Sequence, residues 1–332
     1  MSVLITGGAG YIGSAITNVL IDNAQRVVVI DDLSVGRREF IPRAELHVGD
    51  IGDRSFVAEV LRCNPDVDTV IHCAAKIVVP DSVREPLVYY DNNVGKTVAL
   101  LRSLSEAKIG RFIFSSTAAV YDVHDGGAAS EAAEVRPLSP YSRSKLMVEQ
   151  ILADYCSASG MRALILRYFN PIGADPELRS GHPAAQPTHV LGRLVGATMR
   201  KEPFYLTGVS WRTRDGTGVR DYVDVWDLAD AHAKAFAGFD GIMKSLGRPV
   251  VVVNLGSGTG VTVRELVQSY KAATGAQLAI IEAPPREGDV AGAFATNDLA
   301  RRVLGWVPRR TLEQSIRTAL AWAERRPSIL KE

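Results

Sequence analysis

The sequence predicts an α/β fold: a doubly wound parallel sheet of the Rossmann type, followed by a smaller C-terminal domain. Three observations carry that prediction. Short β-branched runs alternate with longer helical patterns through the first half of the 332 residues. These runs are almost continuously apolar, as strands covered on both faces must be. The first of them enters a glycine-rich turn that opens a helix.

The strands are read at 3–6, 27–31, 45–48, 69–73, 111–115 and 162–168, with enough chain between them for crossover helices. After Asn170 the texture changes, because Pro171, Pro176, Pro183 and Pro187 break the rhythm up to about Thr188. The domain change is placed there. Residues 1–170 make the first domain, 171–332 mainly the second, and a segment of about 221–256 returns to the first, its strand 249–255 ending in Gly256-Ser257-Gly258. A last helix starts after Thr311, where Thr311-Leu312-Glu313-Gln314 has the form of a capping box and Leu312, Ile316, Ala319, Leu320 and Ala323 recur at helical spacing.

Composition excludes several classes. With 38 Lys+Arg against 37 Asp+Glu the chain is near neutral, so no broad basic field exists to hold nucleic acid or an anionic membrane. Any anion is bound locally. Cys63, Cys73 and Cys156 are an odd number at wide spacing, which argues against a disulfide framework or structural zinc and for a reducing compartment. His47, His72, His124, His182, His189 and His232 show no metal spacing, and His72, inside an apolar strand, is expected as a satisfied core residue. The chain opens directly on a strand and has no run of roughly 18 apolar residues, so a cytosolic (cytoplasmic) protein with no membrane partner is expected.

Gly7-Gly8-Ala9-Gly10-Tyr11-Ile12-Gly13 follows the first strand, and Ile12, Ala15, Ile16, Val19 and Leu20 continue it as a helix. Lacking side chains, Gly7 and Gly10 make a tight turn that lets backbone amides approach a pyrophosphate, while the helix N-terminus, opening at Tyr11, Ile12 and Gly13, adds partial positive charge. Asp31 ends the second strand 18 residues after Gly13. A carboxylate there accepts hydrogen bonds from the adenosine ribose and repels a 2′-phosphate, so NAD is expected over NADP. Arg37 and Arg38, close behind, are the residues that would meet a phosphate instead.

Ser139-Pro140-Tyr141-Ser142-Arg143-Ser144-Lys145 opens another helix, with Ser139 as N-cap and Pro140 in the first turn. Tyr141 and Lys145, at i and i+4, share a face. An ammonium beside a phenol favours the phenolate and lowers its pKa from about 10, preparing it for proton abstraction. Thr117, just past the strand 111–115, offers a hydroxyl at the carboxyl edge of the sheet, where nucleotides bind in such folds. These groups suit proton transfer coupled to hydride transfer at a carbinol carbon.

On these residues and others the chain resembles the extended short-chain dehydrogenase/reductases, and among them the UDP-galactose/UDP-glucose 4-epimerase family. The matching blocks are TGGAGYIGS, the GDI at Gly49 to Ile51, TVIHCAA, PLVYYDNNV, FIFSSTAAVY, SPYSRSKLMVEQIL, LRYFNPIGA, DGTGVRDYVDVWDLADAH, NLGSG and PPREGD, and they run nearly end to end. The resemblance implies reversible 4-epimerisation of a UDP-hexose through transient oxidation at C4 with bound NAD. By position it implies that Asp50 and Ile51 flank the adenine, that Lys76 and Asn92 line the cofactor, and that Tyr168 lies near the nicotinamide. Asn170, Arg220, Arg286 and Asp289 should hold the UDP, a guanidinium fork being matched to phosphate oxygens. His189, leading into the second domain, is expected to touch the nucleotide. Tyr141 should remove the proton of the 4-hydroxyl, Thr117 should hydrogen-bond that oxygen, and Lys145 should hold the tyrosine and the nicotinamide ribose. Family analogy also implies a homodimer through paired helices of the first domain, although the apolar positions of 97–104 and 146–151 do not separate such an interface from internal packing.

Other readings fit less well. A sugar-nucleotide dehydratase needs an acid/base pair beside the strand-end hydroxyl, where Ala118 and Ala119 stand. A uronate epimerase or decarboxylase needs groups for a sugar carboxylate, and no convincing set is present. A non-catalytic NAD-binding scaffold has no need of Tyr141, Lys145 and Thr117 together. Two positions depart from the family pattern. Thr117 stands where serine is also common, and Ala293 stands where several members carry a bulky tyrosine. The small Ala293 leaves room for a 2-acetamido group, so UDP-GlcNAc and UDP-GalNAc are expected beside the plain sugars unless a neighbouring loop fills the space.

Overall fold

The computed structural model describes residues 2–123, 126–285 and 290–331. Its centre is a 7-stranded parallel sheet of β1 (Ser2–Thr6), β2 (Arg26–Asp31), β3 (Glu45–Val48), β4 (Val67–His72), β5 (Arg111–Thr117), β6 (Arg162–Tyr168) and β7 (Val250–Leu255). The spatial order is β3-β2-β1-β4-β5-β6-β7. Every apolar run read from the sequence is a strand; β4 sits slightly earlier than expected, and β5 runs on to include Thr117. Because the strands are parallel, their carboxyl ends share one edge, and the order reverses between β1 and β4. Ligands of such sheets bind at that crevice.

The longer helices are α1 (Tyr11–Asp22), α2 (Arg54–Cys63), α3 (Lys96–Glu106), α4 (Pro140–Ser159), α5 (Val190–Arg200), α6 (Val225–Leu246), α7 (Val263–Thr274) and α8 (Leu312–Leu330). On one face of the sheet Ile16 of α1 and Leu228 and Phe236 of α6 pack against Val3, Ile5 and Val29. On the other, Val57 of α2, Leu100 of α3 and Val148 of α4 pack against Leu4, Val28, Val70 and Phe112. Alternate residues of one strand therefore enter opposite cores, which is why β1 is apolar at every position from Val3 to Ile5.

The helix starts follow local chemistry. The Ser139 hydroxyl accepts from the Ser142 amide at 3.2 Å and Ser142 reciprocates, with Pro140 in the first turn of α4. Thr311 and Gln314 make the same reciprocal cap on α8. Both caps stand where the sequence places them.

Past β6 the strand Asn170–Ile172 pairs in parallel with Tyr222–Asp224. No other helix or strand forms among the described residues before α5, in keeping with the proline-rich stretch. A separate apolar cluster joins Leu191 and Leu194 of α5, Leu206, Leu266 and Tyr270 of α7, and Ile316 of α8. Meanwhile α6 and β7 belong to the main sheet, β7 pairing with β6 from Val250↔Ala163 to Leu255↔Tyr168. The turn after β7 is pinned by the buried Asp221 carboxylate, which accepts from the amides of Ser257, Gly258 and Ala295. Among the described residues no helix is long and apolar enough to cross a membrane.

Candidate active site

The glycine turn is shaped for a ligand at the start of α1. Gly7 has φ +71°, and a Cβ there would lie 2.6 Å from the Ala74 nitrogen. A Cβ on Gly13 would lie 2.0 Å from the Gly7 carbonyl oxygen, so the helix seats directly against the turn. Gly10, by contrast, faces little: its nearest contact would be 3.4 Å away. No side chain among the described residues caps α1, whereas Asp53, Ser139, Asp224, Thr262 and Thr311 cap α2, α4, α6, α7 and α8. The first-turn amides of Tyr11, Ile12 and Gly13 are thus left for an anion.

At the end of β2 the buried Asp31 carboxylate accepts from the Ala9 amide at 2.9 Å and the Leu33 amide at 2.9 Å. Burial raises its pKa despite those two amides. The Arg37 guanidinium folds onto the Val35 and Gly36 carbonyls of its own loop, at 2.9 and 2.8 Å. Asp50, after β3, pairs with Lys96 at 2.6 Å, beside the buried Ile51. Burial acts against the Asp50 charge, and the Lys96 and Gly52 hydrogen bonds outweigh it, lowering its pKa. Uncapped amides, a glycine cradle and a strand-end carboxylate together fit a dinucleotide.

Beyond the reversal of strand order, Thr117 ends β5 opposite Tyr168 of β6. Tyr141 and Lys145 reach the same edge from the first turns of α4, both buried. The Thr117 hydroxyl lies beside the Tyr141 phenol and favours its phenolate. The electrostatics differ from the sequence-based expectation. The Lys145 ammonium donates to the Ser115 carbonyl at 2.8 Å and sits 4.8 Å from the centre of the Phe114 ring. Burial pushes the Tyr141 phenol up to about 12 rather than down, and Tyr89 adds to the rise. Desolvation of the buried phenol dominates here. Burial also lowers Lys145 to about 8, with Cys73 and Glu149 holding it up.

A tyrosine, a lysine and a hydroxyl gathered beside a dinucleotide turn define a short list of chemistries, and residues 3–256 match the NAD dependent epimerase/dehydratase family. The chain belongs to this family. A UDP-glucose 4-epimerase of Azospirillum brasilense is 43% identical over 323 residues, 96% of this chain and 91% of that one. A UDP-glucose-4-epimerase of Stenotrophomonas maltophila, solved with bound NAD and formylated UDP-arabinopyranose, is 34% identical, with 98% of each chain covered and a TM-score of 0.91. Another from Brucella ovis, in complex with NAD, is 36% identical over 96% of this chain and 97% of that one, with a TM-score of 0.89.

The remaining expected site residues of this epimerase-family chain divide into groups. Tyr168 lies at the edge, where burial raises its phenol well above the usual value and a hydrogen bond to Ser115 opposes the rise. Asn170 is exposed, one step past Phe169, and its amide is bonded to Asp221. The Arg220 guanidinium is bonded to the carbonyls of Val290 and Ala291 at 3.1 Å each. Ala293 is half-buried and packs against the apolar cluster of Val120, Tyr121, Ala129, Phe169 and Ala295. Arg286 and Asp289 lie outside the described residues, as does His124.

Four expected contacts turn out to have structural duties as well. The Lys76 side chain is exposed, while its main chain is held at both N–H and C=O by Asn93. Asn92 donates to Asn93 at 3.1 Å. Tyr11 donates its hydroxyl to the Gly173 carbonyl at 2.8 Å, tying α1 to the chain beyond β6. His189 caps α5 through Nδ1, which accepts from Gly192 at 3.2 Å.

Sequence reasoning missed the polar groups beneath the edge. Asn93, in a wide helical turn at Asp91–Gly95, also donates to Ser144 on α4 at 3.0 Å. Ser115 joins Cys73 at 3.1 Å and His232 at 3.3 Å. Glu149 and Arg167 form a buried ion pair. Only Glu149 had a legible signal, since it continues the i, i+4 row of Tyr141 and Lys145. No group able to hold a metal ion occurs among the described residues.

The buried histidines make a testable prediction. His72 is bonded through both ring nitrogens, to Thr6 at 2.6 Å and Thr97 at 2.9 Å, as a satisfied core residue should be. Burial lowers His72 to about 3 and His232 to about 4. Unfolded imidazoles take protons near 6.5 while these refuse them, so acid favours unfolding by about 1.4 kcal/mol per pH unit for each. Stability is complete above about 6.5 and falls as pH drops toward 4. Buried aspartates such as Asp221 and Asp227, whose burial raises their pKa, act oppositely near the carboxylate range, so the fall is clearest between about pH 6.5 and 5. A melting temperature level across that interval contradicts this account.

Proposed function

We propose that this chain interconverts the C4 epimers of UDP-hexoses with a firmly held NAD. The observation that carries the reading is the convergence of Tyr141, Lys145 and Thr117 at the carboxyl edge next to the uncapped start of α1. The α1 amides, Gly10 and Asp31 would hold the dinucleotide, with Asp50 and Ile51 toward the adenine and Tyr168 toward the nicotinamide. Bound NAD supplies reversible hydride transfer at the sugar C4. Tyr141 takes the proton of the 4-hydroxyl and later returns it, with the Thr117 hydroxyl beside it and the charge that an oxidised cofactor would bring favouring its phenolate, and with Lys145 toward the nicotinamide ribose. Thr117 hydrogen-bonds the same oxygen and fixes its distance from the phenol. The proton that Tyr141 takes is the one it returns and the conversion is redox-neutral overall, so no co-substrate is consumed. Asn170, Arg220, Arg286 and Asp289 anchor the UDP, leaving the hexose free to present either face.

Incubating the purified protein with UDP-galactose, UDP-GalNAc and UDP-glucuronate separately, without added NAD, tests substrate class and cofactor retention at once. Conversion of the first two is expected; conversion of the glucuronate alone favours a uronate epimerase. The small, half-buried Ala293 supports acceptance of the N-acetylated sugars. Ala293→Tyr is expected to lower turnover of UDP-GalNAc about 10-fold or more while sparing UDP-galactose, a methylene-scale pocket change being worth about 1–3 kcal/mol. Equal rates for native and variant protein on UDP-GalNAc would count against that role.

Residues 1–170 with the returning 221–256 are read as the cofactor-binding unit and most of 171–332 as the sugar-nucleotide unit. A cytoplasmic homodimer through the helices of the first unit completes the reading. Met147 on α4 and Leu87 and Val83 nearby are exposed apolar groups that such contact would cover. Sedimentation at micromolar concentration reads the oligomeric state.

A further inference from the structure

The Glu149–Arg167 ion pair is buried on both sides, and the proposed reaction gives it no part. Glu149 follows Lys145 by one helical turn and Tyr141 by two, so the three project from one face of α4. Its Oε1 accepts from the Ser116 hydroxyl and from Arg167 Nε at 3.0 Å, while Oε2 takes the second arm of the Arg167 fork. Ser116 lies between Ser115, whose carbonyl receives Lys145, and Thr117, whose hydroxyl lies beside Tyr141. Ser116 also stands opposite Arg167 in the β5–β6 register. Arg167 in turn stacks 4.9 Å from the Tyr121 ring, and Tyr121 donates to Asn254 of β7 at 2.6 Å.

We infer that Glu149 and Arg167 are positioning residues that fix the height of α4 against the ends of β5 and β6, with the Glu149 carboxylate also supporting the charge of Lys145 one turn before it. A buried pair offers little net stability over an apolar replacement, because desolvation offsets its attraction. Its value is geometric: one carboxylate ties the helix to two adjacent strands at the level of Tyr141, Lys145 and Thr117. It is also electrostatic, since Lys145 is buried against Ser115, Phe114 and Cys73, with His72 nearby, and Glu149 is the carboxylate one turn away that supports its charge. Arg167 opposes that support but is matched by the same carboxylate.

The inference rests on the proposed epimerase activity for its kinetic arm only. In NAD-loaded Glu149→Gln protein, kcat is expected to fall about 10-fold or more with KM within about twofold, and the alkaline limb of the pH profile to move down by about one unit. Lysine-selective NMR of the same holoenzyme reads the Lys145 titration directly, which should move in the same sense. Glu149→Gln/Arg167→Gln, neutral again at this locus, should return the Lys145 titration toward the native value while kcat stays low. If the single variant folds poorly, the double variant decides. A folded variant with native kcat, or a Lys145 titration unmoved in the single variant or displaced equally in both, overturns the inference. The titration is read whether or not UDP-hexoses are turned over, so absent turnover by native protein overturns only the function.

Discussion

Replacing Tyr141 with phenylalanine is expected to lower epimerisation by about 10²–10⁴-fold, the usual worth of a positioned general acid–base group. The packing is kept by this change, because only the hydroxyl beside Thr117 is removed and the buried ring stays. NAD content and melting temperature should therefore stay close to native, and KM for the UDP-sugar should change little. Steady-state kinetics with an absorbance measurement of bound dinucleotide checks all three. A variant with full turnover would remove Tyr141 from the proton transfer. Loss of cofactor with activity would move Tyr141 from catalysis to binding.

Gly13→Ala carries the second large effect, on stability and cofactor retention together. In an ordinary helical position alanine is preferred to glycine by about 1 kcal/mol. Here the new Cβ would lie 2.0 Å from the Gly7 carbonyl oxygen and 2.9 Å from the Gly8 Cα, both backbone atoms that cannot swing aside. Overpacking of this kind costs about 1–3 kcal/mol, so the clash wins over the propensity. The displacement falls on the turn whose amides would face the pyrophosphate. Gly13→Ala should therefore melt lower and purify with little NAD. A variant that melts higher and keeps its cofactor shows that the turn and α1 can separate at no cost.

Much of the architecture is legible in the amino-acid sequence. The apolar runs located the inner strands of the main sheet, because a strand buried on both faces has no polar side to disguise it, whereas the edge strand β3 is half-exposed along its length. Ser139 and Thr311 announced α4 and α8, since a cap is a local hydrogen bond between residues three apart. Tyr141, Lys145 and Thr117 were legible for a related reason: a helical turn and a strand end set their placement. Illegible were the partners that come from distant parts of the chain. Nothing around residue 93 signals that Asn93 will grip the main chain of Lys76 and the Ser144 hydroxyl. The sequence reading likewise expected Lys145 to lower the Tyr141 phenol. Helical spacing alone favours that effect, whereas the phenol's state depends on how much solvent the two groups lose and which carbonyl the ammonium finds.

By itself, then, the amino-acid order determined the parallel sheet, the dinucleotide turn and the family, because each follows from contacts within a few residues or from a periodic pattern. Tertiary structure alone decided which polar groups are buried together: Glu149 with Arg167 and Ser116, Ser115 with Cys73 and His232, Asp221 with the turn after β7. Those choices depend on strand register and on the loss of water, and both exist only once the chain has closed on itself.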